Sequence, residues 1–343
     1  MSSDKFYMDR CVALALKGKG QVAPNPMVGA VIVHDGKIIG EGYHEAYGGP
    51  HAEVNAVNSV EDPSLLSEAT IYVSLEPCAH WGKTPPCAEL LASKQFERVV
   101  IGCLDQHDKV DGKGIKRLME ANIQIQLGVE EDLCREINKH FFTFHEKKRP
   151  YVLLKWAQSS DGLLDKSGSK DGEVVWISSQ ESQKMVHQWR AEYQSILVGK
   201  NTVIADEPSL TVRHAKGKNP TRIILDSNLS LTQDGNTFNS DAPTVVLNTI
   251  RDQELNNCRS VKIENMEPYT VLKALHDLNI NSVLIEGGAQ TLTSFIRSGL
   301  WDEARVFESD TTFGAGTKAP ELNGIPNEVY KVGSDTLKTY FNR

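Results

Sequence analysis

One histidine, one glutamate and two cysteines form the most chemically informative pattern in the sequence. His51 and Glu53 stand two residues apart in GGPHAEVNAV, and Cys78 and Cys87 flank the segment AHWGKTPP. Zinc prefers nitrogen and sulfur ligands, and a catalytic zinc site uses three protein ligands and leaves the fourth position for water. One histidine and two cysteines supply that set, so we predict that His51, Cys78 and Cys87 bind one Zn²⁺ ion.

Glu53 is the predicted catalytic proton carrier of this site. A water molecule bound to zinc is acidified to a pKa near neutrality, which makes a hydroxide nucleophile available. Departure of an amino group then needs a proton carrier, and a carboxyl group two residues after a ligand is placed to be one. Because residues i and i+2 point to different sides of a helix, His51 and Glu53 can share one water only at a helix entrance, where Gly48-Gly49-Pro50 delivers the chain.

The combination H-x-E…P-C is typical of zinc-dependent deaminases that act on nucleobases. In this chain eight residues separate the two cysteines, whereas the enzymes acting on nucleic acids and free bases have C-x-x-C. An alternative is a closed zinc knuckle that only stabilises the fold, which would need a fourth ligand, with His80 as the nearest candidate. The acidic residue beside His51 and the open three-ligand set favour the catalytic interpretation.

The second half of the chain lacks the G-x-G-x-x-G fingerprint of dinucleotide-binding Rossmann folds. Its most distinctive segment is LIEGGAQTL at 284–292, in which a buried strand ends in an acid and two glycines precede a helix. Such an arrangement offers backbone N–H groups and a helix N-terminus to an anionic ligand. Two glycines after a strand also occur in ordinary turns, so this segment alone leaves both interpretations open.

Helices and strands alternate along the whole chain, and they must position these residues. In the first half we predict a helix at 4–17, strands at 28–33 and after the hairpin turn 34–36, a helix at 51–57, a strand at 70–75, a helix at 86–94, a strand at 98–102, a helix at 114–121, a strand at 123–128 and a helix over 129–148. In the second half we predict strands at 151–157, 195–199, 221–226, 244–248, 282–288 and 303–309, with helices at 179–190, 270–279 and after Gly288.

This order of elements predicts two α/β domains. The sheet of the second should be mostly parallel, with later strands that could be antiparallel. The basic run KKRP at 147–150 marks the boundary, which gives domains 1–147 and 148–343.

Composition narrows the classes of partner. A chain of 343 residues exceeds what one hydrophobic core usually serves, and a net charge of −8 argues against a nucleic-acid-binding face. The chain starts without a signal-peptide pattern and has no apolar run of about 18 residues, so we expect a cytoplasmic protein that spans no membrane. The four cysteines outside the metal pattern are expected to be inert buried thiols. A homo-oligomer is one of the assemblies that the sequence allows.

The sequence resembles the bifunctional deaminase–reductase family of riboflavin biosynthesis over essentially its whole length. Its first half matches the family blocks N-P-x-V-G, G-G-P-H-A-E and P-C-x-H-x-G-x-T-P-P-C. The resemblance implies a cytidine-deaminase-like three-layer domain, and it assigns four residues to the substrate there: Asn25, His44, His80 and Lys83. The family usually has Asp-Pro-Asn where this chain has Asp105-Gln106-His107, so we place no contact on that stretch.

The second half resembles the reductase domain of the same family, through KWAQSSDG, GEVVWIS and SILVGKNTVIADEPSLTVR. The resemblance implies a dihydrofolate-reductase-like α/β domain that uses NADPH. Its substrate side would comprise Lys155, Arg190, Leu210, Arg213 and Glu286, and its NADPH side Ala157, Trp176, Thr202, Asp206, Ser227, Gly287 and Gly288. Two arginines could bind one phosphate together, since a guanidinium group binds phosphate bidentately. Core packing is the alternative for Trp176 and Leu210.

The resemblance implies two consecutive steps on a small phosphorylated pyrimidine. The first domain would hydrolyse the 2-amino group of 2,5-diamino-6-ribosylamino-4(3H)-pyrimidinone 5′-phosphate, and the second would reduce the ribosyl group to ribityl with hydride from NADPH. Lys155 and Glu286 are then the candidates for orienting or protonating the sugar.

Two functions of other classes stay open at this point. One is a nucleic-acid-editing deaminase with an accessory domain, against which the charge and the cysteine spacing count. The other is a deaminase whose second half only binds a ligand or mediates assembly. Val174, which stands where the family has a substrate-contacting serine, is the best support for this second alternative.

Overall fold

The chain divides into two compact units, Met1–Lys147 and Lys148–Arg343. The computed structural model describes residues 3–79, 81, 85–105, 112–166, 177–232, 234–255 and 257–342. Within these ranges, no helix combines the length and the apolar character that crossing a membrane requires.

Over its described residues, the first unit is built on a five-stranded sheet. Its strands are β1 Gly29–His34, β2 Lys37–Tyr43, β3 Thr70–Leu75, β4 Arg98–Cys103 and β5 Gln124–Leu127. Its helices are α1 Ser3–Ala15, α2 Ala52–Asn58, α3 Cys87–Lys94, α4 Lys113–Glu120, α5 Glu131–Ile137 and α6 Lys139–Lys147. The strand order is β2-β1-β3-β4-β5, in which β3, β4 and β5 are parallel and β1 runs antiparallel to both of its neighbours.

Both faces of this sheet are covered, as the predicted three-layer fold requires. Successive side chains of a strand point to opposite faces. Ile32 and Val73 therefore join the core formed with α2, α3 and α4. Val31 and Tyr72 join the core formed with α1, α5 and α6. Strands that are buried on both faces read as continuous apolar runs, which explains the sequences GAVIV and TIYVSL.

The helix predicted over 129–148 is wrong in one respect, because the chain leaves the helix at Asn138. This residue has φ −108° and ψ 20°, and it separates α5 from α6. Its buried amide accepts a hydrogen bond from the Met27 N–H and donates one to the Met27 carbonyl, both at 2.8 Å. Buried polar groups need such partners. The break in the helix thus places the Asn138 side chain where it fixes the backbone of the N-P-M-V-G segment, at Met27, 111 residues earlier in the chain.

The second unit contains a ten-stranded sheet, counted over the described residues. Its strands are β6 Tyr151–Gln158, β7 Ser195–Gly199, β8 Thr221–Leu225, β9 Thr244–Asn248, β10 Gln253–Leu255, β11 Cys258–Lys262, β12 Ser282–Ile285, β13 Glu303–Glu308, β14 Glu328–Val332 and β15 Asp335–Phe341. Its helices are α7 Gln180–Glu192, α8 Lys200–Asp206, α9 Pro268–Asp277 and α10 Ala289–Ser298.

The strand order is β10-β11-β9-β8-β7-β12-β6-β13-β15-β14. All pairs from β11 to β13 are parallel, and β10, β15 and β14 add antiparallel pairs, which confirms the predicted mixture. The helix predicted from 179 to 190 is also confirmed, because Ser179 caps α7 by accepting a hydrogen bond from the Ser182 N–H. Strand β12 lies between β6 and β7, and this brings residues from distant parts of the chain to one edge of the sheet.

The Asn138 clamp generates a stability prediction. Replacing Asn138 by Ala removes the partner of the half-buried N–H and carbonyl of Met27. We therefore expect the free energy of unfolding of the first unit to fall by about 2 kcal/mol. The matched control is Glu136→Ala on α5, whose side chain is 66% exposed, and it should change this free energy by less than about 0.5 kcal/mol. Hydrogen exchange of first-unit peptides in the full chain measures both values. Equal losses in the two variants would contradict the clamp.

Candidate functional sites

The three predicted metal ligands come from the start of α2 and from the connection between β3 and α3. His51 directly precedes α2 and has extended backbone angles of φ −76° and ψ 164°. Cys78 lies in the segment that follows β3, and Cys87 is the first residue of α3. The structure thus places His51 at a helix entrance, as the spacing to Glu53 predicts, and the cysteines at the carboxyl end of a parallel strand.

Side-chain geometry at this point fits a zinc ion. The His51 Nδ1 atom lies 3.6 Å from Cys78 Sγ and 3.3 Å from Cys87 Sγ. All three ligand atoms lie within 4.8 Å of one another. In a tetrahedral site with Zn–S near 2.3 Å and Zn–N near 2.0 Å, nitrogen and sulfur ligands stand about 3.5 Å apart. The donor set and its spacing therefore match those of a three-ligand zinc site.

The environment of Cys78 favours the thiolate that a metal requires. The Cys78 sulfur accepts a hydrogen bond from the backbone N–H of Cys87 at 3.3 Å. Hydrogen bonds from the Cys87 thiol and from the His51 ring lower the pKa of Cys78. Thiolates are the metal-binding form of cysteine.

Glu53 is buried beside these ligands, in the first turn of α2. Burial raises the pKa of Glu53 to about 7, and the negative charge of Cys78 adds to this effect. Over the residues that the structure describes, the group of converging ligand atoms consists of His51, Cys78 and Cys87, without Glu53. A carboxyl group that titrates near neutral pH can both accept and release a proton.

Asn25 and His44 lie next to the predicted metal site. The Asn25 side-chain nitrogen is 3.1 Å from His44 Nε2, and His44 Nδ1 is 2.9 Å from the carbonyl oxygen of Pro50. Burial lowers the pKa of His44, so a neutral ring can donate from Nδ1 and accept at Nε2. The His44 ring centre lies 5.4 Å from that of His51.

Two other predicted residues of this site, His80 and Lys83, lie outside the described residues. The closed zinc knuckle with His80 as a fourth ligand stays an alternative for the same reason.

Glu76 supports the loop that carries Cys78, a role that the sequence analysis did not predict. This buried residue follows β3 and lies two positions before Cys78. Its carboxylate accepts hydrogen bonds of 3.2–3.4 Å from the backbone N–H groups of Asp105, Gly112, Gly114 and Ile115. These bonds tie the start of α4 to the loop that carries Cys78. The only signal in the sequence is an acid directly after a buried strand.

In the second unit, a cavity of about 1330 Å³ lies at the carboxyl ends of β6, β7, β8 and β12. Ligands of open parallel sheets bind at this edge. Trp176 and Val174 lie outside the described residues. The other predicted residues of this unit all line the cavity: Lys155, Ala157, Arg190, Thr202, Asp206, Leu210, Arg213, Ser227, Glu286, Gly287 and Gly288.

A largely buried cluster of charges lines this cavity. Arg190 donates to both carboxylate oxygens of Glu286, at 2.8 and 2.7 Å, and Lys155 Nζ lies 3.9 Å from the same carboxylate. Burial acts to raise the pKa of Glu286, but the charges of Arg190 and Lys155 outweigh it and bring this pKa to about 2. Burial lowers the pKa of Lys155. The cavity therefore holds an ionised carboxylate beside a lysine that releases its proton more readily than usual.

The two predicted arginines lie in one cavity but in different situations. Arg190 is committed to Glu286 and also donates to the Thr211 carbonyl at 3.2 Å. Over the described part of the chain, the Arg213 guanidinium has no ion pair, and burial together with the charge of Arg190 lowers its pKa. Arg213 is thus the arginine whose donors are available to an anionic ligand.

Gly287 and Gly288 form a turn in the cavity wall, directly before a helix. Gly288 has a φ of +71°, a left-handed conformation that favours glycine. A Cβ atom at Gly287 would lie 3.0 Å from the Thr202 and Val198 side chains. Helix α10 starts directly after this turn, and the first residues of the helix line the cavity. The N–H groups in the first turn of a helix suit an anion, which fits the phosphates of a dinucleotide cofactor.

Leu210 satisfies both of the interpretations left open by the sequence. It is buried in a core cluster with Val203 and Phe238, and it also lines the cavity. Its φ of +53° is unusual for a residue with a branched side chain.

Comparisons with known proteins cover both units. The family profile of the cytidine and deoxycytidylate deaminase zinc-binding region matches residues 1–103, and that of the RibD C-terminal domain matches residues 150–340. The riboflavin biosynthesis protein RibD of Aquifex aeolicus (strain VF5) is 41% identical, over 93% of this chain and 90% of its own. RibD of Bacillus amyloliquefaciens is 39% identical, over 99% of this chain and 92% of its own.

Solved structures resemble the whole chain as well. The crystal structure of a diaminohydroxyphosphoribosylaminopyrimidine deaminase/5-amino-6-(5-phosphoribosylamino)uracil reductase from Thermotoga maritima is 34% identical, with a TM-score of 0.88 over 98% of each chain. Acinetobacter baumannii RibD, form 2, is 33% identical, with a TM-score of 0.90 over 99% of this chain and 98% of its own.

The ligand geometry predicts how the metal responds to substitution. The purified chain should hold about one zinc ion, and Cys78→Ser or Cys87→Ser should lose most of it, because a hydroxyl group does not replace a thiolate ligand. Elemental analysis measures the zinc content. The matched control is Cys103→Ser in the same unit. The Cys103 thiol donates a hydrogen bond to the Ser74 carbonyl at 3.4 Å and is not a predicted ligand, so this variant should keep its zinc. Full zinc content in either ligand variant would remove that cysteine from the site.

Proposed function

Because this chain belongs to the RibD family, it is a bifunctional enzyme of riboflavin biosynthesis, and we propose that its two units divide the two reactions between them. Residues 1–147 carry the deaminase, and residues 148–343 carry the reductase. One observation supports this division. The predicted zinc ligands and Glu53 lie together in the first unit, and the predicted reductase residues that the structure describes line one cavity in the second.

The deaminase releases the 2-amino group of 2,5-diamino-6-ribosylamino-4(3H)-pyrimidinone 5′-phosphate as ammonia. His51, Cys78 and Cys87 would hold a zinc ion, which would supply a water nucleophile of lowered pKa at neutral pH. Glu53 would accept a proton from the attacking water and deliver it to the leaving nitrogen, so that an oxygen replaces the nitrogen on the ring carbon. Burial next to the ligands allows Glu53 to do both within one site.

Substrate binding in the first unit involves Asn25 and His44, in keeping with their position beside the ligands. A neutral His44 held by Pro50 presents a fixed ring edge to the pyrimidine. By resemblance, His80 and Lys83 are assigned to the ribose-phosphate side of the same substrate.

The reductase converts the ribosyl group of the deaminated product to ribityl. NADPH supplies the hydride. Lys155 donates a proton to the sugar oxygen that is freed as C1′ is reduced, and Glu286 holds the Lys155 ammonium group in place. Arg213 binds the substrate phosphate, while Arg190 fixes Glu286. The Gly287-Gly288 turn, with Ala157, Thr202, Asp206, Ser227 and Trp176, forms the cofactor side.

The partner of both sites is a small phosphorylated pyrimidine. A nucleic acid would need a basic face, which a net charge of −8 does not favour. Assembly into a homo-oligomer stays a prediction, which light scattering of the purified chain would measure.

One experiment separates this function from its rivals. The purified chain is incubated with the pyrimidinone substrate, with and without NADPH, and the products are identified by mass. Without NADPH, the product should carry an oxygen in place of the amino group, and with NADPH it should carry two more hydrogen atoms. If the deaminated product accumulates even with NADPH, the second unit only binds a ligand. If neither product forms, the enzyme has another substrate.

Substitution of Glu53 tests its role directly. Glu53→Gln should keep its zinc, because Glu53 is not a ligand, and should slow ammonia release by about 10²-fold or more, the usual effect of losing general acid–base catalysis. Glu68→Gln is the control, since the Glu68 side chain is 78% exposed in the same unit. Zinc content and steady-state ammonia release are measured on both. Near-normal turnover of Glu53→Gln would refute the assignment.

Lys155→Met should affect the other reaction. The substitution keeps the length of the side chain but removes the proton donor, so we expect kcat for NADPH oxidation to fall by about 10²-fold or more. Ammonia release should not change, because the residue lies in the other unit. Lys273→Met on α9, with a side chain 63% exposed, is the control. Loss of deamination in a zinc-loaded Lys155→Met protein would contradict the division of the two sites.

A further inference from the structure

The backbone that carries Arg213 is fixed by a buried histidine. The N–H of Arg213 donates a hydrogen bond to His187 Nδ1 at 3.0 Å. His187 lies on α7 and is only 5% exposed. It stands three residues before Arg190, a spacing that places both side chains on the same face of a helix. One face of α7 therefore supplies the residue that fixes Arg213 and the residue that binds Glu286.

The two residues that precede Arg213 are also held by side chains. The Thr211 carbonyl accepts a hydrogen bond from Arg190 at 3.2 Å, and the Val212 N–H donates one to the Asn219 side chain at 2.8 Å. Together with the His187 contact, these bonds fix the backbone over 211–213. The Arg213 guanidinium itself lines the cavity.

The His187 ring must be neutral to make this bond, because a protonated imidazole has no acceptor. Burial and the positive charges of Arg190 and Arg213 lower the pKa of His187 to about 4. The His214 ring packs edge-on against the His187 ring, with 4.7 Å between the ring centres. The negative charge of Glu286 acts in the opposite direction on the pKa of His187, but it is outweighed. The surroundings thus keep the ring in the form that accepts the Arg213 N–H.

We propose that His187 is a positioning residue for the reduction, which fixes the Arg213 backbone and thereby aims the guanidinium at the phosphate of the substrate. The inference rests on the proposed function, because it assumes that Arg213 binds this phosphate. His187 itself contacts neither the sugar nor the cofactor in this role. Its loss should weaken substrate binding and leave the chemical step and NADPH binding largely intact.

A matched pair of amide substitutions tests this role. In His187→Asn, the side-chain oxygen stands as many bonds from the backbone as Nδ1 does, so it can accept the Arg213 N–H. In His187→Gln, the oxygen lies one bond further out. We expect KM for the phosphorylated pyrimidine to rise by about tenfold in His187→Gln and by less than about threefold in His187→Asn. In both variants kcat and KM for NADPH should change by less than about threefold. Equal changes in KM for the two variants, or a fall in kcat without a change in KM, would overturn the proposal.

A double-mutant cycle with Arg213→Ala shows whether His187 acts through Arg213. If it does, adding His187→Gln to Arg213→Ala should cause no further rise in KM. A second rise of about tenfold in the Arg213→Ala background would mean that His187 acts independently, and would refute the proposal. Ammonia release is measured on every preparation as a check of the first unit. An unsubstituted chain that fails to oxidise NADPH would contradict the proposed function itself, whereas an additive cycle in an active chain contradicts only the role of His187.

Discussion

Charged side chains inside these two units keep their charge only where opposite charges or hydrogen-bond donors surround them. Glu286 has such partners in Arg190 and Lys155, and its pKa falls to about 2. Glu53 is also buried but lies beside the negatively charged Cys78, and its pKa rises to about 7. Two buried carboxyl groups are thus tuned in opposite directions. One stays ionised and orders its neighbours, whereas the other can exchange a proton near neutral pH.

The same constraint explains why both sites lie at the carboxyl ends of parallel strands. Glu76 directly follows β3, and Glu286 directly follows β12. Each leaves a strand that is buried on both faces, so each needs partners at once. Glu76 finds four backbone N–H groups, which saturate it and make it a fixed support for the Cys78 loop. Glu286 finds side chains, and one of these, Lys155, is able to release a proton to a ligand in the cavity.

Much of this arrangement could be predicted, because the information is local. The strand predicted at 70–75 is the observed Thr70–Leu75, and the predicted metal ligands belong to short motifs whose spacing already places His51 at a helix entrance. What the sequence analysis missed depends on partners far away in the chain. The break at Asn138 is set by Met27, and the importance of Glu76 is set by N–H groups up to 39 residues later. The spacing of residues within one helix or strand does not predict hydrogen bonds between residues that are far apart in the chain. The roles of His80, Lys83 and Trp176 stay predictions.

The commitment of Arg190 changes the expected picture of phosphate recognition. Two arginines converging on one phosphate would share its charge, but Arg190 already uses two donors on Glu286 and a third on the Thr211 carbonyl. Moving it to a phosphate would leave Glu286 buried with Lys155 as its remaining charged partner, at 3.9 Å, which is unfavourable. Arg190 therefore connects the two ends of the proposed substrate site. One of its contacts orders the acid beside Lys155, where we propose that the sugar reacts, and another orders the backbone that leads to Arg213, where we propose that the phosphate binds. Because both ends depend on one guanidinium group, the distance between them is set by the protein before any substrate arrives. Such preorganisation is what aligns a bound sugar for hydride transfer.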